Sequence, residues 1–410
     1  SSSRAETPAD SSGTHRLRLF LDCSAFICDF DFLKRELDWV DWVRDRADAD
    51  VYVLVTTQDT GSGGAEAKFF VKRPRGGGPA ADTLRVFAPA TASEDDSRRL
   101  ISRTLQAALA RDLVGRPEGD RLSVTVAAPA TEGVTPAGTA RDPWNHWVYK
   151  IGMNGYVNGE ASYRDYYLYS SITASRVTER AKLGAIVSQN YSEKRYRVGE
   201  GSRYTTIRGW STRALSVWTL GPRWSAGVSS NVYASTYSNI DWSAWGGPAL
   251  EFDVYPYEES SRRAITLGYQ VQAGRNDYLE ITLYGKTAET LFSHALDVSL
   301  SQNQPWGSLN VGMSANQYLH DGSKYRLSAF VSADLKLFRG FSLNGYTNGS
   351  YIRNQLALRR GHASESEILA RRHQLATNYQ YYASFGISYR FGSIFDSVVN
   401  PRLDNTFGGL

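Results

Sequence analysis

Residues 263–276, RAITLGYQVQAGRN, alternate strictly between apolar and polar side chains. Leu267 and Tyr269 fall on one face of this segment, and Thr266 and Gln270 fall on the other. A repeat of two residues predicts a β-strand with one apolar and one polar face. The run is much longer than the usual strand of about five or six residues.

The same alternation recurs through the C-terminal two-thirds of the chain. It is clear in 306–318, in 325–337 (YRLSAFVSADLKL) and in 381–391 (YYASFGISYRF), and we count twelve such strands between 147 and 392. A soluble sandwich would also alternate, but its strands would be shorter and its polar face richer in Lys and Glu. Ser, Asn, Gly and Gln dominate here, as in the polar interior of a membrane barrel. The sequence predicts a mainly β protein with a 12-stranded antiparallel transmembrane β-barrel.

Composition agrees with this fold class. The 410 residues carry 46 basic and 42 acidic side chains, so the net charge of +4 gives no reason to expect a nucleic-acid partner. Mean hydropathy is −0.40, which a barrel tolerates because one face of each strand is polar. No signal peptide begins at Ser1, and we expect the chain to be a mature form from which it has been removed.

The N-terminal third has a different pattern and predicts a small α+β domain. We expect strands at 17–21, 50–57, 65–72, 83–87 and 122–127, with helices at 31–46 and 93–112. Ser93 and Asp96 form a capping-box pattern at the start of the second helix. The predicted organisation is a polar arm (1–14), this domain (15–128), a linker rich in Pro, Gly and Thr (129–143), the barrel (144–393) and a C-terminal extension (394–410).

The lengths of the connections predict the orientation of the barrel. Tight turns fall near 178–179, 220–222 and 303–305, whereas longer loops fall near 192–202, 274–284 and 355–376, the last with a short helix at 364–372. Short turns are periplasmic and long loops extracellular in bacterial barrels. We therefore expect an outer-membrane protein whose α+β domain lies in the periplasm.

Three groups of side chains are candidate functional residues. Near the strand ends on the short-turn side, an aromatic girdle is predicted from Trp144, Trp147, Trp218, Trp224, Trp306 and Phe338. Lumen-facing charges of both signs are predicted at Lys150, Glu251, Asp253, Asp297, Arg326, Asp334, Lys336 and Arg390. Cys23 and Cys28 are a disulfide candidate in an oxidising compartment, with a pair of reduced core thiols as the alternative.

The sequence gives no catalytic site, metal site or cofactor site, and we expect a protein that is not an enzyme. Because 12-stranded barrels include a phospholipase, a barrel-surface hydrolase is an alternative function. No G-x-S-x-G motif is present, and His294, which shares a face with Leu296, has no assignable serine beside it. The Gly61-Ser62-Gly63-Gly64 stretch joins two strands and predicts a hairpin turn. Asp29, Asp31 and Asp41 are better explained by helix capping and a solvated helix face than by a cation site.

Several stretches carry a resemblance that extends over nearly the whole chain. They are LDCSAFICDFDFLKRE (21–36), VRDRADADVYVLVTTQ (43–58), YGKTAET (284–290), QPWGS (304–308), YLHDGSKYRL (318–327), LFRGFSLN (337–344), RRHQLATNYQYYASFGISYRFGS (371–393) and VVNPR (398–402). The chain resembles a family of bacterial outer-membrane β-barrels with an N-terminal periplasmic α/β domain. In element order that domain is similar to the TolB amino-terminal type. The resemblance implies a fold and a location but no activity.

Two functions therefore remain open from the sequence. One is an anchor: a barrel that holds a periplasmic domain as a structural or assembly component of an envelope complex. Its partners would be outer-membrane lipid and an envelope protein that binds residues 1–128 or the C-terminal extension. The alternative is a narrow channel for small solutes, because twelve strands lie between filled eight-stranded barrels and open porins.

Overall fold

The computed structural model describes residues 16–23, 28–61, 63–74, 82–114, 116–117, 119, 142–198, 201–338, 340–361 and 374–397. The predicted arm (1–14), the predicted strand at 122–127, most of the linker and the predicted helix at 364–372 lie outside these residues. Neither described helix is long and apolar enough to cross a membrane.

The N-terminal part is a five-stranded mixed sheet with two helices. Its strands are β1 (Arg18–Cys23), β2 (Asp41–Trp42), β3 (Val51–Asp59), β4 (Ala65–Lys72) and β5 (Asp82–Ala88), in the spatial order β2-β1-β3-β4-β5. β1 runs parallel to both neighbours, and the remaining pairs are antiparallel. The prediction of an α+β layer is confirmed.

Helices α1 (Phe30–Glu36) and α2 (Glu94–Leu113) cover one face of this sheet. Leu33, Phe69 and Leu105 meet in the core, each fully buried. The Ser93 hydroxyl accepts a bond from the Asp96 backbone N–H, and the Asp96 carboxylate accepts one from the Ser93 backbone, so α2 begins with the predicted capping box.

The predicted helix at 31–46 is wrong in its length. α1 ends at Glu36, and the chain then turns into the short strand β2 and a 3-10 turn at Arg46–Asp48. Val40 and Trp42 are buried, and β-branched and aromatic side chains favour a strand over a helix. Pairing of β2 with β1 prevails over the helical spacing of Leu33 and Leu37.

The C-terminal part is a 12-stranded antiparallel sheet in which consecutive strands are neighbours. Its strands are β6 (Trp147–Gly159), β7 (Tyr163–Val177), β8 (Ala181–Val198), β9 (Gly201–Thr219), β10 (Trp224–Ser235), β11 (Ile240–Asp253), β12 (Arg263–Tyr278), β13 (Ala288–Gln304), β14 (Gly307–Tyr318), β15 (Tyr325–Phe338), β16 (Phe341–Ile352) and β17 (Tyr379–Tyr389). The predicted count of twelve strands is confirmed.

The register of this sheet is steadily staggered. A row of paired residues that starts at Tyr381, near the beginning of β17, passes through Met313 and Leu267 and reaches Trp224, the first residue of β10. The row thus moves from one end of the strands to the other. Strand tilt with a consistent stagger is what allows a sheet to close into a barrel. Since lipid offers no hydrogen bonds to a sheet edge, this sheet is the wall of a 12-stranded transmembrane β-barrel.

The barrel has two different ends. At the end where β6 begins, four of the connections span two to four residues, and the fifth is the longer 254–262 segment with its 3-10 turn. We call this the short-turn end. The opposite end carries the long connections at 279–287 and 353–378. The predicted loop at 192–202 is wrong, because β8 and β9 extend through it and leave a two-residue connection.

Candidate functional site

The five-stranded sheet is covered on both faces, and this places the candidate site. Helices cover one face, while the other, which we call the docking face, meets the short-turn end of the barrel. The first six residues of β3 are all buried, whichever way they point. On the docking face Tyr52 is 3% exposed and Leu54 is 7% exposed. A strand buried on both faces has a continuous run of apolar residues, and Val51–Val55 is such a run.

A charged pair joins the centre of the docking face to the barrel wall. The Lys336 ammonium of β15 donates to the Asp22 carboxylate of β1 at 2.6 Å. The Tyr52 hydroxyl donates to the other oxygen of Asp22 at 3.1 Å. The Lys336 nitrogen also lies 5.5 Å from the centre of the Phe20 ring, which stacks on Tyr52. The Asp22 side chain is 11% exposed, so these two donors replace much of the water that would otherwise solvate its carboxylate.

Contacts around this centre follow the turns of the barrel. The Arg46 guanidinium donates to the Pro305 carbonyl in the turn between β13 and β14. The Gln58 amide donates to the Tyr257 hydroxyl at 3.0 Å, and Arg262 lies over the Phe70 ring at 5.2 Å. Burial, followed by the charge of Arg262, lowers the pKa of Lys72 on the same face. The sheet therefore sits against two successive connections of the barrel, 254–262 and 305–306.

The segment that follows the last barrel strand returns to the α+β domain. Phe395 forms an antiparallel bridge with Val43 beside β2, at the edge of the five-stranded sheet. The Arg44 N–H donates to the Ile394 carbonyl at 3.0 Å, and the Asp396 N–H donates to the Trp42 carbonyl at 2.8 Å. The Lys34 ammonium lies 3.0 Å from the Asp396 carboxylate. The segment that follows the barrel thus fastens the domain to the barrel.

Two cavities remain at this junction. One, of about 1240 Å³, is lined by Phe20, Arg44, Lys336, Phe341 and Arg390 among others. The other, of about 510 Å³, lies between β3 and the connection from β13 to β14. The Thr56 hydroxyl borders the second cavity, and it is buried without a hydrogen-bond partner among the described residues. Charged and polar side chains border both cavities, which are large enough to hold water between domain and barrel.

Cys23 and Cys28 are joined by a disulfide. The bond links the end of β1 to the chain just before α1, directly next to Asp22. It closes a short loop at the rim of the docking face.

The register puts the predicted lumen charges on the sheet face opposite the apolar side chains, but not in one cluster. Glu251 and Asp297 lie in one row on either side of Gly268. Arg326 lies near the opposite end of the barrel, and Lys150 is on the edge strand β6. Asp253 on β11 lies opposite Thr266 on β12. Asp334, Lys336 and Arg390 come together at the junction cavity. That all eight line an open lumen stays a prediction.

The predicted girdle residues lie at the short-turn end, where the domain docks. Trp147 and Trp224 begin strands, Trp218 and Phe338 lie at strand ends, and Trp306 is in a turn. Trp144 immediately precedes β6 and is 64% exposed. Their contact with lipid stays a prediction.

His294 belongs to a polar group on the outward face. Its two ring nitrogens lie 3.2 Å from the Tyr269 hydroxyl and 3.1 Å from the Gln317 amide oxygen. Its cross-strand partners are Val271 and Gln317, so the described register places no serine beside it. Ser293 points to the opposite face and is buried. This geometry does not assemble a nucleophile with its base.

Tyr52→Phe is expected to weaken the domain in a pH-dependent way. The hydroxyl serves a buried carboxylate, so its loss costs about 1–2 kcal/mol near neutral pH. Burial first, and then the Asp22 charge, raises the pKa of the Tyr52 phenol. The folded domain holds this proton more tightly than the unfolded chain. Wild-type stability therefore falls as the pH rises above about 10, the ordinary tyrosine value, whereas the variant lacks this loss.

Chemical denaturation of the full chain at pH 7 and at pH 10.5, followed by a probe on α2, tests this prediction. The stability gap between wild type and variant should narrow at the higher pH. A constant gap would show that the phenol is not held as a neutral donor.

Comparison with known proteins gives fold neighbours at low similarity. No protein-family model matches the chain, and no curated protein matches it. Among solved structures, the NanC porin is 9% identical with a TM-score of 0.29, over 59% of this chain and 99% of that one. The translocator domain of the autotransporter NalP from Neisseria meningitidis is 14% identical with a TM-score of 0.24, over 60% of this chain and 87% of that one. The barrel assignment rests on the strand order and stagger of the chain itself.

Proposed function

We propose that this protein is an outer-membrane anchor that holds its α+β domain against the periplasmic rim of the barrel, as a structural or assembly component of the envelope. The observation that carries the proposal is the doubly covered sheet, because the barrel end supplies the second layer of the domain. A domain with a freely mobile tether would need no buried Asp22–Lys336 pair and no returning C-terminal segment.

The proposal assigns the short-turn end to the periplasm. Short periplasmic turns and longer extracellular loops are the rule in bacterial barrels. The resemblance to barrels with a periplasmic domain supports the same orientation. We propose no catalytic role, since the outward His294 group lacks a nucleophile in the described register.

A partner protein would meet the open edge of the five-stranded sheet. In the described residues this edge is strand β5, whose Phe87 side chain is 62% exposed and lies on the same face as Gln58. An extended segment of another envelope protein can add to such an edge through backbone hydrogen bonds, with a pocket or ring for its side chains. This edge fits the partner expected for residues 1–128.

A narrow solute channel is the second candidate function. The face opposite the lipid band is rich in Ser, Asn and Gly, with paired hydroxyls such as Ser328 and Ser350 at 2.9 Å. A small polar lining suits a water-filled lumen. In the structure, however, the α+β domain lies across the short-turn end.

Single-channel conductance in a planar bilayer separates the two functions. We expect the full chain to show little or no steady conductance, because the domain covers one mouth. Removal of residues 1–142 should raise the conductance if a lumen lies behind the domain, which would then act as a plug. Both proteins must first show the slower heat-dependent unfolding of a folded barrel on gel electrophoresis. Steady conductance of the full chain equal to that of the truncated chain would overturn the anchor proposal and favour the channel.

A further inference from the structure

The hairpin of β8 and β9 forms the part of the wall with the longest strands, of 18 and 19 residues. Together with β7, it presents a sharp change of chemistry on the outward face. Near mid-strand this face is apolar, with Ile172, Val187 and Trp210 exposed. Further from the short-turn end the same face becomes basic and aromatic.

We call this region the arginine patch. It comprises Arg164, Tyr166, Tyr191, Glu193, Arg195, Arg197, Tyr204 and Arg208. The register makes it one surface. Arg164 lies opposite Arg195, which lies opposite Tyr204, while Tyr191 lies opposite Arg208. Side chains of directly paired residues share a face of the sheet.

The patch carries more positive than negative charge. Glu193 is the acidic residue on this face of the described strands, and it accepts bonds from both Tyr191 and Arg195. Arg208 lies over the Tyr191 ring at 5.6 Å, and Arg195 lies over the Tyr166 ring at 5.6 Å. Arg164 and Arg197 are exposed and make no ion pair within the described residues. The patch thus holds four guanidinium groups and one carboxylate.

This arrangement differs from the other face of the same strands. On the inward face Lys194 lies 3.9 Å from the buried Asp165, which also accepts a bond from Tyr163 at 3.0 Å. This inward lysine is therefore matched within the protein, whereas Arg203 and Arg213 on the same face make no ion pair within the described residues. On the outward face, the tyrosine rings orient the arginines without neutralising them.

We propose that the arginine patch binds the phosphate groups of an anionic, phosphorylated glycolipid in the outer leaflet, with its acyl chains on the apolar band below. The inference rests on the orientation in the proposed function, which places this end outside. Arginine suits the ligand because its planar fork donates two bonds to a phosphate and is less strongly hydrated than lysine. The neighbouring tyrosines match the headgroup depth, where aromatic side chains concentrate.

The test measures lipid binding to the purified full-length protein in detergent, by native mass spectrometry with diphosphorylated lipid A as the probe. Dephosphorylated lipid A with the same acyl chains is the matched ligand. The variant is Arg164→Gln with Arg208→Gln, on the outward face. The matched control is Arg203→Gln with Arg213→Gln, which removes the same charge from the same part of the sheet but from the opposite face.

We expect wild type to bind the diphosphorylated lipid about tenfold more tightly than the dephosphorylated one. The outward variant should lose this preference, and the inward control should keep it. Equal binding of the two lipids, an equal loss in the control, or displacement by millimolar inorganic phosphate would each overturn the proposal, the last by showing a free-phosphate site. If the outward variant does not fold, the two lipids compared on wild type still decide the question.

Orientation is tested separately, so that failure of the two proposals can be told apart. A Ser202→Cys variant carries its label at the tip of the β8–β9 hairpin. A membrane-impermeant maleimide should label it on intact cells. If labelling requires permeabilised cells, the proposed orientation is wrong. The proposal of an outer-leaflet ligand is then also wrong, even where lipid binding in detergent persists.

Discussion

Lys336→Glu is expected to release the α+β domain from its fixed position on the barrel. The substitution faces the buried Asp22 carboxylate with a second negative charge, where the wild type has a 2.6 Å ion pair. Breaking a buried pair typically costs 3–5 kcal/mol. The Lys336 side chain is 36% exposed, so we use the lower end, about 3 kcal/mol, or roughly a 100-fold shift in the docking equilibrium.

Distance measurement between two spin labels shows the release directly. One label at Ser97 on α2 and one at Glu179 in the turn between β7 and β8 should give a narrow distance distribution in wild type. In Lys336→Glu the distribution should broaden, because the segment Ile394–Ser397 still ties the domain nearby while the docking face is free.

Two further variants show whether the effect is specific. Asp22→Lys combined with Lys336→Glu reverses the pair and should restore the narrow distribution. Lys182→Glu makes the same charge change on the inward face of β8, near the short-turn end, and should leave the distribution unchanged. A broad distribution already in wild type, or no change in Lys336→Glu, would show that the ion pair does not hold the domain.

The barrel was predictable from sequence because its physics is local. Each strand must alternate to satisfy lipid on one side and a polar interior on the other, and this pattern is legible in segments such as 263–276 without knowledge of any contact. The capping box of Ser93 and Asp96 is equally local, and the structure confirms it.

The docking site was not predictable in the same way. Asp22 and Lys336 are 314 residues apart, and the predicted lumen-facing position of Lys336 does not indicate that Asp22 is its partner. The apolar run Val51–Val55 is typical of a strand buried on both faces, but it does not identify the barrel end as the second cover. The helix at 31–46 failed for a related reason: the pairing of Asp41–Trp42 with β1 is a tertiary contact that overrides helical spacing.

The two edge strands of the sheet, β6 and β17, indicate how the barrel closes. β6 and β17 are not hydrogen-bonded to each other in the described residues. Ile151 on β6 is 81% exposed and Phe385 on β17 is 83% exposed, against 40% for Leu267 and 36% for Val271 on the inner strand β12. The outward side chains at the edges therefore lack a neighbour on one side. Unpaired backbone of this kind is not tolerated in lipid, so these two strands must pair in the membrane.

The closing register follows from direction, length and face. Because the strands alternate, β6 and β17 are antiparallel, and the best overlap places the 13 residues of β6 along 379–391. This register sets Ile151 opposite Ile387 and Met153 opposite Phe385, with apolar side chains together on the lipid face.

We expect Ile151→Cys with Ile387→Cys to form an intramolecular disulfide under mild oxidation in almost every folded molecule. The crosslink is read as a change in mobility on gel electrophoresis after heat denaturation. The matched control is Ile151→Cys with Phe391→Cys, which lies two residues beyond β17 and four residues from Ile387, or about 13 Å in extended chain; it should stay uncrosslinked. Crosslinked dimers would show instead that each edge pairs with a second copy of the chain. An absence of any crosslink in folded protein would mean that the wall stays open between β6 and β17. Formation of the intramolecular bond without dimers would support a closed barrel. In a closed barrel the strands β15, β16 and β17 belong to a continuous rim, and this rim holds the domain through Lys336.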